Sequence, residues 1–103
     1  MNETRHLLIS GTVQGVFYRQ SFSEQATAMG VQGWCRNLAD GRVEAIIHAA
    51  IPQLEALIAW AHAGPPEARV TEVHITHVNV PPQEVVAMRM FAVRPDGISP
   101  CIA

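Results

Sequence analysis

The chain contains no lysine, and all seven basic residues among its 103 positions are arginines. A phosphate-binding loop of the G-x-x-x-x-G-K-[ST] type is therefore excluded, and any strong anion contact must come from arginine, histidine or backbone N–H groups. Charge is also scarce, because charged residues make up 16% of the chain and the net charge is −2. Nucleic-acid-binding domains usually carry a basic patch, so we expect no nucleic-acid partner.

Cysteine is rare as well, with only Cys35 and Cys101 present. They form neither a C-x-x-C pair nor a zinc-type spacing, and we expect two free thiols in a reducing compartment. The N-terminus lacks the apolar stretch of a signal peptide. The most apolar window, residues 45–63, is interrupted by polar residues and a proline, so we expect no membrane span. These features predict a cytoplasmic protein, which we expect to be a monomer.

Apolar periodicity predicts five strands and two helices in one domain. The strands are expected at about 6–13, 31–37, 42–49, 70–78 and 87–94, and the helices at about 20–29 and 52–63. Asp40-Gly41 predicts a hairpin turn between the second and third strands. The order β-α-β-β-α-β plus a terminal strand predicts an α+β sandwich, an antiparallel sheet of about five strands with both helices on one face. We expect the domain to span 1–95, with a short, loose tail at 96–103.

The stretch from Ser10 to Ser21 joins the first strand to the first helix through a short loop. Free backbone N–H groups gather at a helix N-terminus, and the helix dipole favours an anion there. Gly15 lets a ligand approach the backbone, and the guanidinium of Arg19 matches phosphate oxygens two at a time. The residues alone favour a phosphate cradle no more strongly than an ordinary glycine-bearing turn.

Two motifs in this chain resemble the two signatures of the acylphosphatases. Residues 11–19 read G-T-V-Q-G-V-F-Y-R, and residues 33–44 read G-W-C-R-N-L-A-D-G-R-V-E. The resemblance covers roughly residues 5–95. It implies a ferredoxin-like fold and the hydrolysis of the carboxyl–phosphate bond of small acyl phosphates, without a metal or another cofactor. Inorganic phosphate is then the product and an expected inhibitor.

The same resemblance implies the roles of individual residues. Arg19 binds the phosphate and Asn37 orients the attacking water, which makes them the expected catalytic pair. Arg36 neighbours Asn37 in a strand and is expected to point to the opposite face. The loop residues expected to bind phosphate beside Arg19 through backbone N–H groups are Gln14, Gly15, Val16, Phe17 and Tyr18.

Less specific interpretations stay open beside these roles. Arg19 can instead form a helix-surface ion pair, and Asn37 can be a turn residue bonded to its own backbone. The alternative function is a non-catalytic anion- or metabolite-binding module on the same fold.

Other residues are expected to be structural. Glu44 alternates with apolar neighbours, and we expect it to be a solvated strand residue. His74 and His77 lie three apart in a strand and hence on opposite faces, which suits no metal site. Ala50 stands where the second signature normally ends in glycine, so we expect the local strand-to-helix turn to differ.

Overall fold

The computed structural model describes residues 2–88 and 90–96, which form five strands and three helices. In chain order these are β1 (Asn2–Thr12), α1 (Tyr18–Ala28), β2 (Gln32–Asn37), β3 (Val43–Ala50), α2 (Ile51–Ala63), β4 (Arg69–Val78), α3 (Gln83–Ala87) and β5 (Ala92–Val93).

The strands make one sheet in the order β4-β1-β3-β2-β5. Strand β1 pairs antiparallel with both β3 and β4, and β2 pairs antiparallel with β3. Strand β5 runs parallel to β2, so the prediction of a wholly antiparallel sheet is wrong at this edge. The predicted fold class, an α+β sandwich of the ferredoxin-like type, is confirmed.

Helices α1 and α2 cover one face of the sheet, as predicted. Alternate residues of β1 and β3, such as Leu7 and Ile47, are fully buried on this face. Phe22 of α1 and Leu57 of α2 pack onto them in the same cluster. Burying aliphatic and aromatic side chains of this size stabilises the fold by about 1.5–3 kcal/mol each. This core fixes the end of β1 against the start of α1, where the predicted site lies.

The other face of the sheet is partly covered by α3. Val85 of α3 is fully buried against Trp34 and Ile46. The predicted strand at 87–94 is wrong for most of its length, because among its described residues only Ala92–Val93 pairs with the sheet. Pro82 caps a helical turn, and its carbonyl accepts hydrogen bonds from the N–H groups of residues 85 and 86. Ala87, the first residue of the predicted strand, is the last residue of this helix.

The remaining boundaries differ by a few residues. Strand β1 begins at Asn2 because its polar first residues pair with the end of β3, a long-range contact that hydropathy does not reveal. Ala50 has φ −64° and ψ 150°, an ordinary extended conformation, so alanine replaces the family's glycine there without strain. The turn at Asp40-Gly41 is confirmed, with the Gly41 N–H bonded to the Leu38 carbonyl.

The end of the chain is described only as far as Asp96. The rest of the predicted tail, 97–103, lies outside the described residues, and so does Cys101. Cys35 is a buried free thiol. Within residues 2–88 and 90–96, no helix has the length and apolar character needed to cross a membrane.

Candidate active site

The loop between β1 and α1, residues 13–17, twice adopts the left-handed backbone conformation. Gly15 has φ 76° and Phe17 has φ 62°, while Val16 between them has a negative φ. Glycine takes this conformation without strain, whereas another residue type pays roughly 1–2 kcal/mol for it. Such alternation turns successive N–H groups toward one side and forms a concave anion-binding surface, a nest.

The N–H groups of residues 15–20 have no backbone acceptor in the described part of the chain, and α1 has no side-chain N-cap. The first turn of α1 contains no acidic residue, so the partial positive charge at this helix end is not neutralised locally. The donors and the helix dipole together suit an anion at this end of α1.

Gln14 ties this loop to the β2–β3 hairpin. Its Nε2 atom donates to the carbonyl of Leu38 at 2.8 Å and to the carbonyl of Arg42 at 2.9 Å. Leu38 follows Asn37 directly, so the two bonds hold the loop beside the end of β2. The Gln14 side chain is thus occupied in positioning the loop.

Asn37, the last residue of β2, lines a cavity in front of the loop. Its Oδ1 atom is buried, and no group in residues 2–88 and 90–96 donates a hydrogen bond to it. A buried acceptor without a partner costs about 1–3 kcal/mol and calls for an explanation. The cavity measures about 400 Å³, within the range of small-molecule sites. Of the predicted residues, it is lined by Gln14, Gly15, Phe17, Tyr18, Arg19 and Asn37.

Arg19, in the first turn of α1, reaches the same cavity with a side chain that is 34% exposed. Its Nη1 atom lies 3.2 Å from Asp96 Oδ1, and Asp96 is itself 69% exposed. The alternative interpretation, a surface ion pair, is therefore realised in this conformation. An exposed pair of this kind contributes about 0–1 kcal/mol, and it leaves Arg19 available to a more strongly charged anion.

The side chains of Tyr18 and Val16 belong to the core, so their backbone groups are what they can offer to the loop. The Tyr18 hydroxyl donates to the Ala61 carbonyl at 2.8 Å, which fastens the start of α1 to the end of α2. Burial raises the pKa of this hydroxyl well above its usual value. Val16 packs against the main hydrophobic cluster.

Burial also raises the pKa of the Cys35 thiol to about 12, and its Sγ atom faces the Arg19 carbonyl at 3.7 Å.

Several residues at the cavity escaped the sequence analysis. Two of them, Ser23 and Glu24, lie one turn beyond Arg19 and Gln20, so helical spacing offered a usable signal. Val93 of β5 also lines the cavity, and no local pattern indicates it. The contact of Asp96 with Arg19 spans 77 residues and has no sequence signature.

On the opposite face of the sheet, Glu44 is fully buried, so its prediction as a solvated residue is wrong. His6 Nε2 lies 2.8 Å from Glu44 Oε2, and Arg36 Nε donates to Glu44 Oε1 at 2.6 Å. A buried carboxylate is tolerated only with such partners. Arg36 also stacks over Trp34, 5.4 Å from the ring centroid. Arg36 thus points away from the cavity that Asn37 lines, as predicted.

No group of three or more histidine, cysteine, aspartate or glutamate side chains within the described ranges is arranged to hold a metal ion. The cavity itself offers one carboxylate, Glu24, and amide or hydroxyl groups. These are poor ligands for a transition metal, whereas the loop N–H groups and Arg19 suit an anion.

The fold and the site together define an α+β protein in which a loop with a left-handed glycine precedes a helix and faces a cavity. Comparison with known proteins agrees. The acylphosphatase family model matches residues 5–92. An acylphosphatase of Acidovorax sp. (strain JS42) is 58% identical over 72 residues, which is 70% of this chain and 74% of the relative. An acylphosphatase of Alkalilimnicola ehrlichii is 48% identical over 84 residues, 82% of this chain and 94% of the relative.

A solved structure gives the same result. The structure of an acylphosphatase from Coxiella burnetii superposes with a TM-score of 0.81 at 32% identity, covering 90% of this chain and 93% of that one. The chain belongs to the acylphosphatase family. These similarities support hydrolysis of acyl phosphates and do not favour a non-catalytic binding module.

Proposed function

We propose that this acylphosphatase holds the phosphoryl group of its substrate with Arg19 and the N–H groups of residues 14–18, and that Asn37 orients the attacking water. Phosphoryl transfer depends mainly on positioning and on stabilising charge at the phosphoryl oxygens. The guanidinium and the loop donors supply that charge stabilisation. The side-chain carbonyl of Asn37 supplies an acceptor for one O–H of the water.

The reaction needs little acid–base help, because the leaving carboxylate is weakly basic. The water oxygen forms a bond to phosphorus, and the bond from phosphorus to the carboxyl oxygen breaks. The electron pair of that bond leaves with the carboxylate, and one water proton passes to a phosphoryl oxygen. The products are a carboxylate and dihydrogen phosphate, so the step balances without a metal, another cofactor or a side-chain base.

The observation that carries the proposal is the unpartnered Oδ1 of Asn37 in the cavity reached by Arg19. A buried acceptor without a donor is costly, and a bound water satisfies it. The N–H groups of residues 15–20 have no backbone acceptor among the described residues, and a phosphoryl group provides three oxygens that can accept from them. The cavity thus offers an acceptor to a water at Asn37 and donors to an anion at the loop.

A titration with inorganic phosphate, followed by the backbone amide resonances, tests the proposal. We expect the resonances of residues 15–20 to shift most. In Arg19→Ala the dissociation constant for phosphate should rise roughly 10- to 100-fold, the scale of charge-assisted hydrogen bonds. Arg69→Ala removes an exposed arginine of β4 and serves as the matched control. Shifts centred elsewhere, or equal losses in both variants, would contradict the proposed cradle.

We also propose that the enzyme acts as a cytoplasmic monomer on a small-molecule acyl phosphate. The absence of cysteine pairing motifs and the low net charge support this assignment. Light scattering of the purified protein measures the mass, and a dimer would contradict the monomer.

A further inference from the structure

The cavity in front of the phosphate loop extends beyond the groups that the proposed reaction uses. Arg19, Asn37 and the loop N–H groups account for part of its lining. The side chains of Phe17 and Val93 and the second turn of α1 line it as well and have no role in that reaction. In an acyl phosphate the group left to contact them is the acyl group.

Phe17 is the most unusual residue of this second part. It is 73% exposed even though it lines the cavity, and its backbone is left-handed. An aromatic side chain in that position gains little from burial within the fold, and residues in such conformations cluster at ligand sites. Val93 across the cavity is also exposed, at 47%. The two side chains offer apolar surface that the fold itself leaves uncovered.

Charge is distributed unevenly along the cavity. Arg19 is the cation among the lining residues, and Glu24 is the anion. Glu24 lies five residues after Arg19, which places it about 7–8 Å further along the helix axis at 1.5 Å per residue. A second carboxylate, that of Asp96, already lies on Arg19. Among the described lining residues the positive charge thus lies at the phosphate loop, and the negative charge lies further along α1.

We propose that this part of the lining selects the acyl group: Phe17 and Val93 bind an uncharged, apolar acyl group, and Glu24 disfavours an acyl group that carries a second anion. The inference rests on the proposed function, because it assumes that the phosphoryl group occupies the loop. The preferred substrates are acyl phosphates of simple apolar carboxylic acids. Dicarboxylic acyl phosphates are disfavoured because their second charge extends toward Glu24.

The test compares kcat/KM for three probes: benzoyl phosphate, acetyl phosphate and succinyl phosphate. In Glu24→Gln the ratio of succinyl to benzoyl phosphate should rise about 5-fold, the effect of one repulsive charge pair a few ångströms apart in water. Added salt should raise this ratio in the wild type and change it much less in Glu24→Gln, because salt screens exposed charges. Glu55→Gln, an exposed acid on α2, changes the net charge equally and should leave the ratio unchanged.

A second variant tests the apolar contact. Phe17→Asn preserves the left-handed backbone, since asparagine tolerates it, and removes the ring. The ratio of benzoyl to acetyl phosphate should then fall roughly 3- to 10-fold, the scale of losing part of a buried apolar contact.

The outcomes separate this inference from the proposed function. If the wild type turns over all three probes and Glu24→Gln changes no ratio, or Glu55→Gln changes it equally, the acyl-group selection is wrong and the phosphate site stands. If Phe17→Asn lowers kcat/KM for benzoyl and acetyl phosphate by the same factor, Phe17 serves the phosphate loop and does not bind the acyl group. If the wild type hydrolyses none of the probes, the proposed function fails, and this inference fails with it.

Discussion

Two adjacent residues of β2, Arg36 and Asn37, lie on opposite faces of the sheet and have different surroundings. Arg36 belongs to a buried network in which Glu44 has a partner on each carboxylate oxygen. Asn37 faces the cavity with a buried oxygen that has no donor in residues 2–88 and 90–96. Both faces contain polar groups away from water. On the network face Glu44 is satisfied by His6 and Arg36, whereas Trp34 Nε1 on that face, like Asn37 Oδ1, has no partner among the described residues. Of these two unsatisfied atoms, only Asn37 Oδ1 belongs to a residue that lines the cavity reached by Arg19, and there a ligand can complete it.

The two arginines sharpen the contrast. Arg36 is 16% exposed and pairs with a fully buried carboxylate, whereas Arg19 is 34% exposed and pairs with an exposed one. A partner that is buried with the arginine stabilises the fold, and a partner at the surface can be exchanged for substrate. The same residue type therefore stabilises the fold on one face of the sheet, as Arg36, and is available for binding on the other, as Arg19.

The largest expected effect on activity comes from replacing each of these two arginines by alanine. Arg19→Ala should lower kcat/KM for an acyl phosphate by about 10³-fold or more, because it removes a donor aimed at the developing charge. Arg36→Ala should leave kcat per folded molecule near the wild-type value. Steady-state kinetics on both variants, corrected for the folded fraction by circular dichroism, make the comparison. Equal losses in kcat/KM would mean that Arg36 also serves the site.

Stability, unlike activity, should depend more on the network of Arg36 than on Arg19. Glu44→Gln removes the charge of the fully buried carboxylate that Arg36 and His6 share, which should cost about 3 kcal/mol. Thermal unfolding should shift down by roughly 10 °C or more for a chain of this size. Glu72→Gln, on the exposed part of β4, is the control and should change the melting temperature little. A Glu44→Gln protein as stable as the control would show that the network contributes nothing.

Much of the fold and of the candidate site follows from local sequence signals. Apolar spacing predicts both long helices and four of the strands, and the loop with Gly15 and Arg19 lies within one short stretch. The burial of Glu44 depends on its pairing with His6, 38 residues away. The local sequence around Glu44 does not indicate which residue of the neighbouring strand will lie beside it. The prediction of strand β5 was wrong because a two-residue parallel pairing leaves no periodicity in the sequence. Both wrong predictions concern contacts between residues that are distant in sequence and meet only in the folded chain.

A smaller effect is expected at Asp96, which occupies Arg19 when no substrate is bound. Asp96→Asn should lower the dissociation constant for inorganic phosphate about 2- to 5-fold, since an exposed pair contributes at most about 1 kcal/mol. Glu84→Gln, which breaks the exposed pair with Arg94, is the matched control. Isothermal titration calorimetry measures both. Weaker phosphate binding in Asp96→Asn would mean that Asp96 supports the site and does not compete with the ligand.

Burial of Cys35 gives the smallest effect, which depends on pH. Burial raises its pKa from an ordinary value of 9.0 to about 12, so the folded protein keeps the thiol proton at pH values where the unfolded chain loses it. Stability should therefore be unaffected below about pH 9 and decrease as the pH rises above it, by at most about 1.4 kcal/mol per pH unit. In Cys35→Ala the decrease should be shallower. Chemical denaturation at pH 8 and pH 10 checks this, and identical slopes in both proteins would contradict it.

The central claim is that Asn37 acts on the water while the loop and Arg19 hold the phosphate. The direct measurement determines the melting temperature, the phosphate dissociation constant and kcat on one sample of Asn37→Ala, with Asn79→Ala, an exposed residue after β4, as control. We expect kcat to fall by about 10²-fold or more, with phosphate binding within about 2-fold of the wild type, the pattern of an interaction used mainly in the transition state. A destabilised Asn37→Ala protein with wild-type kcat per folded molecule would contradict the account and make Asn37 a structural turn residue.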